Sequence, residues 1–232
     1  MQIKEYKKRF AGRTPESKII LDLCGGTGAW SKPYADAGYN VINITLPDYD
    51  ITETGIVNNY HWGFHKLYFH KEDATHLVNI PCVYGILAAP PCQHFSFARQ
   101  NAKSPRDISG AFEIVKKCRE IIEACAIHGN LKFWAIENPR GYLSRILGKP
   151  PFSFERHEFG DDGIKKTFVW GNFTEPKKTP KLELRDPKFM EKDFWDKVKI
   201  PKGYRKNGWD SKAIKRAMTP PRFAKAFFEA NQ

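Results

Sequence analysis

The stretch "APPCQHFS", Ala89 to Ser96, fixes a cysteine between two prolines and a glutamine, directly after the apolar run "YGILAA". Pro90 and Pro91 lock φ and remove two backbone donors, so the Cys92 thiol rides on a stiff loop where a nucleophile can be held for attack. Only the thiolate is nucleophilic, and an unperturbed cysteine supplies little of it at neutral pH, so nearby donors or cations must activate it. A second stretch, "AIENPRG", sets Glu137 at the end of another apolar run. Two readings fit a carboxylate there: one partly desolvated, keeping a proton near neutral pH to protonate or hydrogen-bond a ring nitrogen, and one that caps or pairs with a cation such as Arg140. A third, "DLCGGTGAW", places Gly25, Gly26 and Gly28 in a turn that a nucleotide-type cofactor can approach closely. It has neither the dinucleotide spacing nor the Lys-Ser or Lys-Thr of a phosphate-binding loop.

Each of these stretches follows a run that reads as a strand: Lys18 to Leu23, "YGILAA", and Leu131 to Glu137. A second strand is expected at Asn40 to Thr45 and another at Thr167 to Phe173. Ser109 to Gly129 reads as a helix, with Ala111, Ile114, Val115, Cys118, Ile121, Ile122 and Cys125 on one face, Ser109 as N-cap and Gly129 as stop. Thr219 to Asn231 closes the chain as a helix capped by Thr219, with Pro220 in its first turn and Phe223, Phe227 and Phe228 buried. Near-continuous apolar strands alternating with helices predict an α/β fold, Rossmann-like, with a mostly parallel sheet covered on both faces. Ligands of such sheets bind beyond the carboxyl ends of the strands, where all three stretches fall.

The chain has 232 residues and is 41% hydrophobic, enough for one substantial core. Residues 1–173 and 218–232 are expected to form one domain, and 174–217 a short basic insert. That insert carries 14 Lys or Arg against 7 Asp or Glu, a large share of a net charge of +12, interleaved with Phe189, Phe194, Trp195, Tyr204 and Trp209. Basic groups and aromatics together favour nucleic acid as the partner. Five cysteines without repeating spacing give no disulfide framework. His61, His65, His70 and His76 lack the cysteine pairs and spacing of a zinc site, so no metal is expected. No segment has the roughly 18 apolar residues of a membrane span, and the N-terminus lacks a signal-type apolar stretch, so a cytoplasmic location is expected, without membrane or obligate protein partner.

In order and in content, these motifs resemble those of the DNA cytosine-5 methyltransferases, in particular the short, phage-type members. "LDLCGGTGAW" is similar to their first cofactor motif, "APPCQHFS" to their nucleophile motif, "AIENPRGYL" to their glutamate motif, "GIKKTFVWGNF" to the short form of their later basic motif, and "TPPRFAKAFFEAN" to their closing helix. The resemblance covers most of the chain and fails mainly between Glu175 and Met218. It implies a class I methyltransferase fold using S-adenosyl-L-methionine, with DNA as substrate and, for a phage-encoded chain, the host cytoplasm as location. It also implies that Cys92 adds to cytosine C6 while Glu137 holds N3, with Lys165 the basic group near the target base. Since C6 is inaccessible within a stack, the base must be flipped out or presented in a single strand. The cofactor residues it implies are Asp22, Cys24, Gly25, Gly26, Thr27, Gly28, Trp30, Thr45, Asp73 and Pro90. Candidate nucleic-acid contacts are Gln93, Ser96, Arg99, Arg140, Lys166, Thr167, Arg205 and Lys206.

Some positions depart from the family pattern. Lys165 and Thr167 stand where longer members have arginines, and Cys24 replaces an aromatic that packs on adenine, a task left to Trp30 or to nothing. Where an acidic residue takes the ribose hydroxyls, Thr45 or Leu46 falls, with Asp48 or Asp50 as substitutes; a modified sulfonium donor is one reading of that change. The short insert implies a short or relaxed target site. Two other functions fit the same residues: a tRNA cytosine-5 methyltransferase, and a non-catalytic nucleic-acid-binding protein of the same fold.

Overall fold

The computed structural model describes residues 18–59, 64–69, 77–98, 104–161, 164–179 and 211–232. The central element is a six-stranded sheet. Four adjacent strands are parallel: β1 (Ile19–Leu23) lies between β2 (Asn40–Ile44) and β6 (Val83–Ala88), and β6 pairs with β7 (Phe133–Pro139). Beyond β7 come β9 (Thr167–Asn172) and, at the edge, β8 (Phe152–Phe154), both joined antiparallel. The sheet is therefore mostly parallel and Rossmann-like, as expected. Only β9 runs against the rest: it is antiparallel to both of its neighbours, so β8 runs the same way as β7, and the connection from β7 to β8 that contains α3 (Leu143–Leu147) leaves between them the place that β9 fills.

Every residue of β1 is buried, as a strand covered on both faces requires. Alternate residues feed two cores. Leu21 and Leu23 join Ile86, Ala88 and Ile136 beneath α2 (Ile108–His128), which presents Cys118, Ile121, Ile122 and Cys125. Ile20 faces the other side with Leu87, Phe133, Ala135 and Val169, covered by α1 (Lys32–Asp36) and α5 (Pro221–Ala230). That second core is aromatic: Phe227 lies 5.3 Å from Trp30, 5.9 Å from Phe133 and 5.3 Å from Phe173 between ring centroids. A third cluster of Phe95, Ala111, Val115, Leu143 and Trp170 packs beneath the loop after β6.

Both helix caps differ from expectation by a residue or two. Asp107, not Ser109, caps α2, its carboxylate accepting from Gly110 N at 2.8 Å, because an aspartate three residues ahead of that amide reaches it directly. Gly129 follows α2 in extended backbone. Pro220, not Thr219, precedes α5, with Pro221 at the first helical position, where no amide is needed. A separate antiparallel sheet of β3 (Gly55–Asn59), β4 (Phe64–Tyr68) and β5 (Leu77–Asn79) was not foreseen. Of the basic insert only 174–179 and 211–217 are described; the former is tied down by Lys178 on Glu158 at 3.1 Å and by Thr179 N on Glu158 O at 2.9 Å, and the latter includes α4 (Ser211–Ala217). No helix among the described residues is long and apolar enough to cross a membrane.

Phe227 ties α5 to Trp30, just ahead of α1, and to Phe133 of the sheet. Phe227→Ala is expected to lower unfolding free energy by about 3–5 kcal/mol, read as a fall in the urea midpoint at unchanged slope.

Candidate active site

Registers align the three motif-bearing strands: Leu23 opposes Ala88, and Ala88 opposes Ile136. The next residues along are Cys24, Ala89 and Glu137, so all three motifs begin one step beyond a common rung. Ala89 N donates to Leu23 O at 2.9 Å and Cys24 N to Ile44 O at 2.7 Å, which fixes the first residue of two of the loops. The chain reverses its direction of growth between β1 and β6, the topological switch point at which such sheets open a crevice.

In the glycine turn Cys24, Gly26 and Gly28 all have positive φ, 56°, 56° and 71°. Gly25 is required for a different reason: a Cβ there would sit 2.2 Å from Asp22 Cγ. Gly26 N donates to Thr45 Oγ1 at 3.3 Å and its carbonyl accepts from Asn43 Nδ2 at 3.0 Å. Asp22 is buried, and its Oδ2 accepts from Ser31 Oγ at 2.5 Å while Oδ1 has no partner among the described residues. Burial lifts its pKa from 3.8 to about 7, against the lowering effect of the Ser31 bond. Asn43 Oδ1 is likewise a buried acceptor without a partner. Two unpartnered acceptors beside a turn open at Gly28, where a Cβ would meet nothing closer than 3.5 Å, suit a ligand that brings an amine or a cationic centre.

Cys92 opens a 3-10 turn, Cys92–His94, and its carbonyl accepts from Phe95 N at 3.0 Å and Ser96 N at 2.8 Å. The loop is laced to the end of β7. Asn138, fully buried, donates from Nδ2 to Pro90 O at 2.9 Å. Tyr142 N donates to Phe95 O at 2.9 Å, Phe97 N to Arg140 O at 3.3 Å, and Ser96 bridges Gly141. A Cβ at Gly141 would lie 2.2 Å from Phe95 O, so only glycine permits this approach. Arg140 N in turn donates to Lys166 O at 3.0 Å. Backbone bonds thus link the cysteine loop, the glutamate strand and the basic segment in sequence.

The side chains carried by these segments sense one another. Burial raises the Cys92 thiol; the Lys165 ammonium lowers it and the Glu137 carboxylate raises it. Burial raises Glu137, and Lys165 and then Arg156 lower it. Cys92 and Glu137 are therefore two weak acids that share one lysine, and ionising either discourages the other. Lys165 Nζ also donates to Arg216 O at 3.2 Å, in α4.

Of the sequence candidates, the structure brings together Cys92, Glu137, Lys165, Pro90, Gln93, Ser96, Arg140, Lys166 and Thr167. Thr167 is buried and opposes Pro139, its hydroxyl donating to Lys165 O at 3.3 Å. Asp22, Cys24, Gly25, Gly26, Thr27, Gly28 and Thr45 form the adjoining turn. Cys24 hydrogen-bonds the Cys118 thiol of α2, which that bond and burial push up. Trp30 requires a correction: it is 1% exposed and packs on Phe223 and Phe227 across the sheet from α2, so its ring has no face left for a ligand. Asp50 is engaged too, accepting from Thr52 N at 2.9 Å. Asp73, Arg99, Arg205 and Lys206 lie outside the described residues. Sequence reasoning missed Arg156, buried yet separated from the motifs by a strand, and Ser31 and Asn43, whose roles depend on which way a turn folds.

No family model matches the chain, and no curated protein matches it. Among solved structures the chain is similar to a "putative DNA modification methyltransferase encoded within prophage" from E. coli, at 15% identity and a TM-score of 0.43. The match covers 67% of this chain and 46% of that one, so the chain spans less than half the length of that structure.

Two predictions follow from the titrating groups. Folded Asp22 holds a proton between about pH 4 and 7 that the unfolded chain has released, so its contribution to stability is present below pH 4 and lost as pH rises through 7. Asp22→Asn should gain stability relative to the parent across that window in urea titrations; a pH-independent difference would mean Asp22 does not titrate there. For the second, alkylation of Cys92 by iodoacetamide reads its thiolate. Lys165→Met should move the alkylation midpoint to higher pH and Glu137→Gln to lower pH, followed on the Cys92 peptide by mass spectrometry.

Proposed function

We propose that this protein is an S-adenosylmethionine-dependent DNA cytosine-5 methyltransferase, with Cys92 as nucleophile. The observation that carries the reading is the mutual influence of Cys92, Glu137 and Lys165 at the carboxyl end of a parallel sheet, beside a glycine turn with unpartnered buried acceptors. Cytosine C5 is a poor nucleophile, and the residues present are those needed to make it a better one. Glu137, raised by burial, keeps a proton that it gives to ring N3. With Glu137 neutral, the anion that opposes thiolate formation is gone and Lys165 acts on Cys92 alone. Cys92 Sγ then bonds to C6, and the displaced electron pair of the C5–C6 double bond leaves C5 enamine-like.

S-adenosylmethionine, when bound, supplies a sulfonium-activated methyl group. Asp22, Gly25, Gly26, Gly28, Asn43 and Thr45 are the residues that would hold it, with Asp22 Oδ1 and Asn43 Oδ1 as acceptors for its amine or cationic groups. After methylation, solvent takes the C5 proton, the C5–H electron pair re-forms the C5–C6 double bond as Cys92 Sγ leaves C6 as thiolate, and N3 returns its proton to the Glu137 carboxylate. The net charge of +12 supports a polyanionic substrate, held through its phosphates with counterion release.

The test is nucleoside mass spectrometry of duplex and single-stranded DNA and of tRNA after incubation with S-adenosylmethionine. 5-Methylcytosine in DNA with the parent protein and none with Cys92→Ala is the expected result. Methylation of tRNA alone would change the acceptor, and no 5-methylcytosine in any nucleic acid would overturn the reading.

A further inference from the structure

The loop that carries Cys92 is gripped from outside the motifs. Arg106, half-buried just ahead of α2, points its guanidinium at two carbonyls of that loop: Nη1 donates to His94 O and Nη2 to Ser96 O, both at 2.9 Å. The next residue adds a third bond, Asp107 N donating to His94 Nδ1 at 2.8 Å. Asp107 is also the cap of α2, so the grip is continuous with a 21-residue helix that packs on the sheet. The fork straddles Phe95, whose side chain is fully buried among Ala111, Val115, Leu143 and Trp170. Through Phe95 N and Ser96 N, both bonded to Cys92 O, the clamped segment is joined directly to the Cys92 backbone. On its other side the guanidinium lies 5.4 Å from the centre of the Tyr142 ring, and Tyr142 N holds Phe95 O.

We propose that Arg106 is a positioning residue for Cys92: its planar fork fixes the His94 and Ser96 carbonyls, and through them the place of the thiol. The proposal rests on the reading of Cys92 as nucleophile. One guanidinium, with two donors in a fixed fork, satisfies both carbonyls at once. An ammonium is a point donor and satisfies one carbonyl at a time. Arg106 touches no reacting atom in this account, and its effect on the reaction is through geometry alone.

Arg106→Lys keeps the charge and removes the fork. Because a misplacement of an ångström costs up to 100-fold in rate, kcat for DNA methylation is expected to fall about tenfold or more. KM for DNA should stay within about threefold, since binding is not what the clamp provides. An independent readout is the rate of iodoacetamide labelling in the unliganded protein at Cys92, with half-buried Cys82 as internal reference. Loss of the clamp should raise labelling at Cys92 severalfold and leave Cys82 unchanged. Equal rises at both thiols would mean that Arg106 merely supports the whole fold, and unchanged labelling with unchanged kcat would mean that the turn holds itself; either overturns the proposal. So would a loss confined to KM with a shallower salt dependence of DNA binding, the mark of a phosphate contact. Should the parent protein methylate nothing, the proposed function fails, while the labelling comparison still decides whether Arg106 positions Cys92.

Discussion

Three parallel strands ending on one rung are the constraint from which the rest follows. Parallel pairing sets the registers Leu23 to Ala88 and Ala88 to Ile136, and burial on both faces makes those registers costly to change, because a slip of one residue would exchange the two cores. With the rung fixed, the chain has to leave the sheet at three adjacent points. What it does there is decided by the next few residues: glycines where the backbone turns left-handed, prolines where it must stay stiff, and a strand that continues through Glu137 and Asn138 because β9 still pairs with it.

Asn138 illustrates how the strand ends become one site. A buried amide next to a half-buried carboxylate is costly unless it is bonded, and its Nδ2 finds the Pro90 carbonyl, the group that the prolines leave without a neighbouring donor. Gly141 then lets the chain after β7 approach the Phe95 carbonyl to a distance that any side chain would prevent. The cysteine loop has almost no regular structure of its own, yet bonds to β7, to the segment after it and to Arg106 fix it at most of its carbonyls.

Much of this is legible in sequence, for physical reasons that differ by element. Strands β1, β6 and β7 show as apolar runs because they are covered on both faces, and α2 because a long helix on one side of a sheet needs an apolar stripe. The closing helix shows through its phenylalanines. The sheet of β3, β4 and β5 does not show: its strands are short and mix Asn, His, Lys and Gly with few β-branched residues, so neither alternation nor a continuous run announces it. Trp30 misleads because an aromatic two residues past a glycine turn reads equally well as a ligand platform or as core, and only the path of α5, nearly 200 residues later, decides for core. Arg106 and Arg156 are invisible for the opposite reason. A cation in a loop looks solvated until the fold supplies the carbonyls or the carboxylate it faces.

The charge arrangement also explains why Lys165, rather than a second acid or a histidine, suits the site. Burial alone would keep both Cys92 and Glu137 protonated, leaving a good proton donor and a poor nucleophile. Lys165 lowers both groups, while the Glu137 charge raises Cys92. In the reaction proposed above, giving a proton to N3 leaves the negative charge on the Glu137 carboxylate as the Cys92 thiolate loses its own on bonding to C6, so Lys165 faces one negative charge before and after the step. Arg156, buried and acting on Glu137 alongside Lys165, favours the carboxylate that remains once the Glu137 proton has been given up.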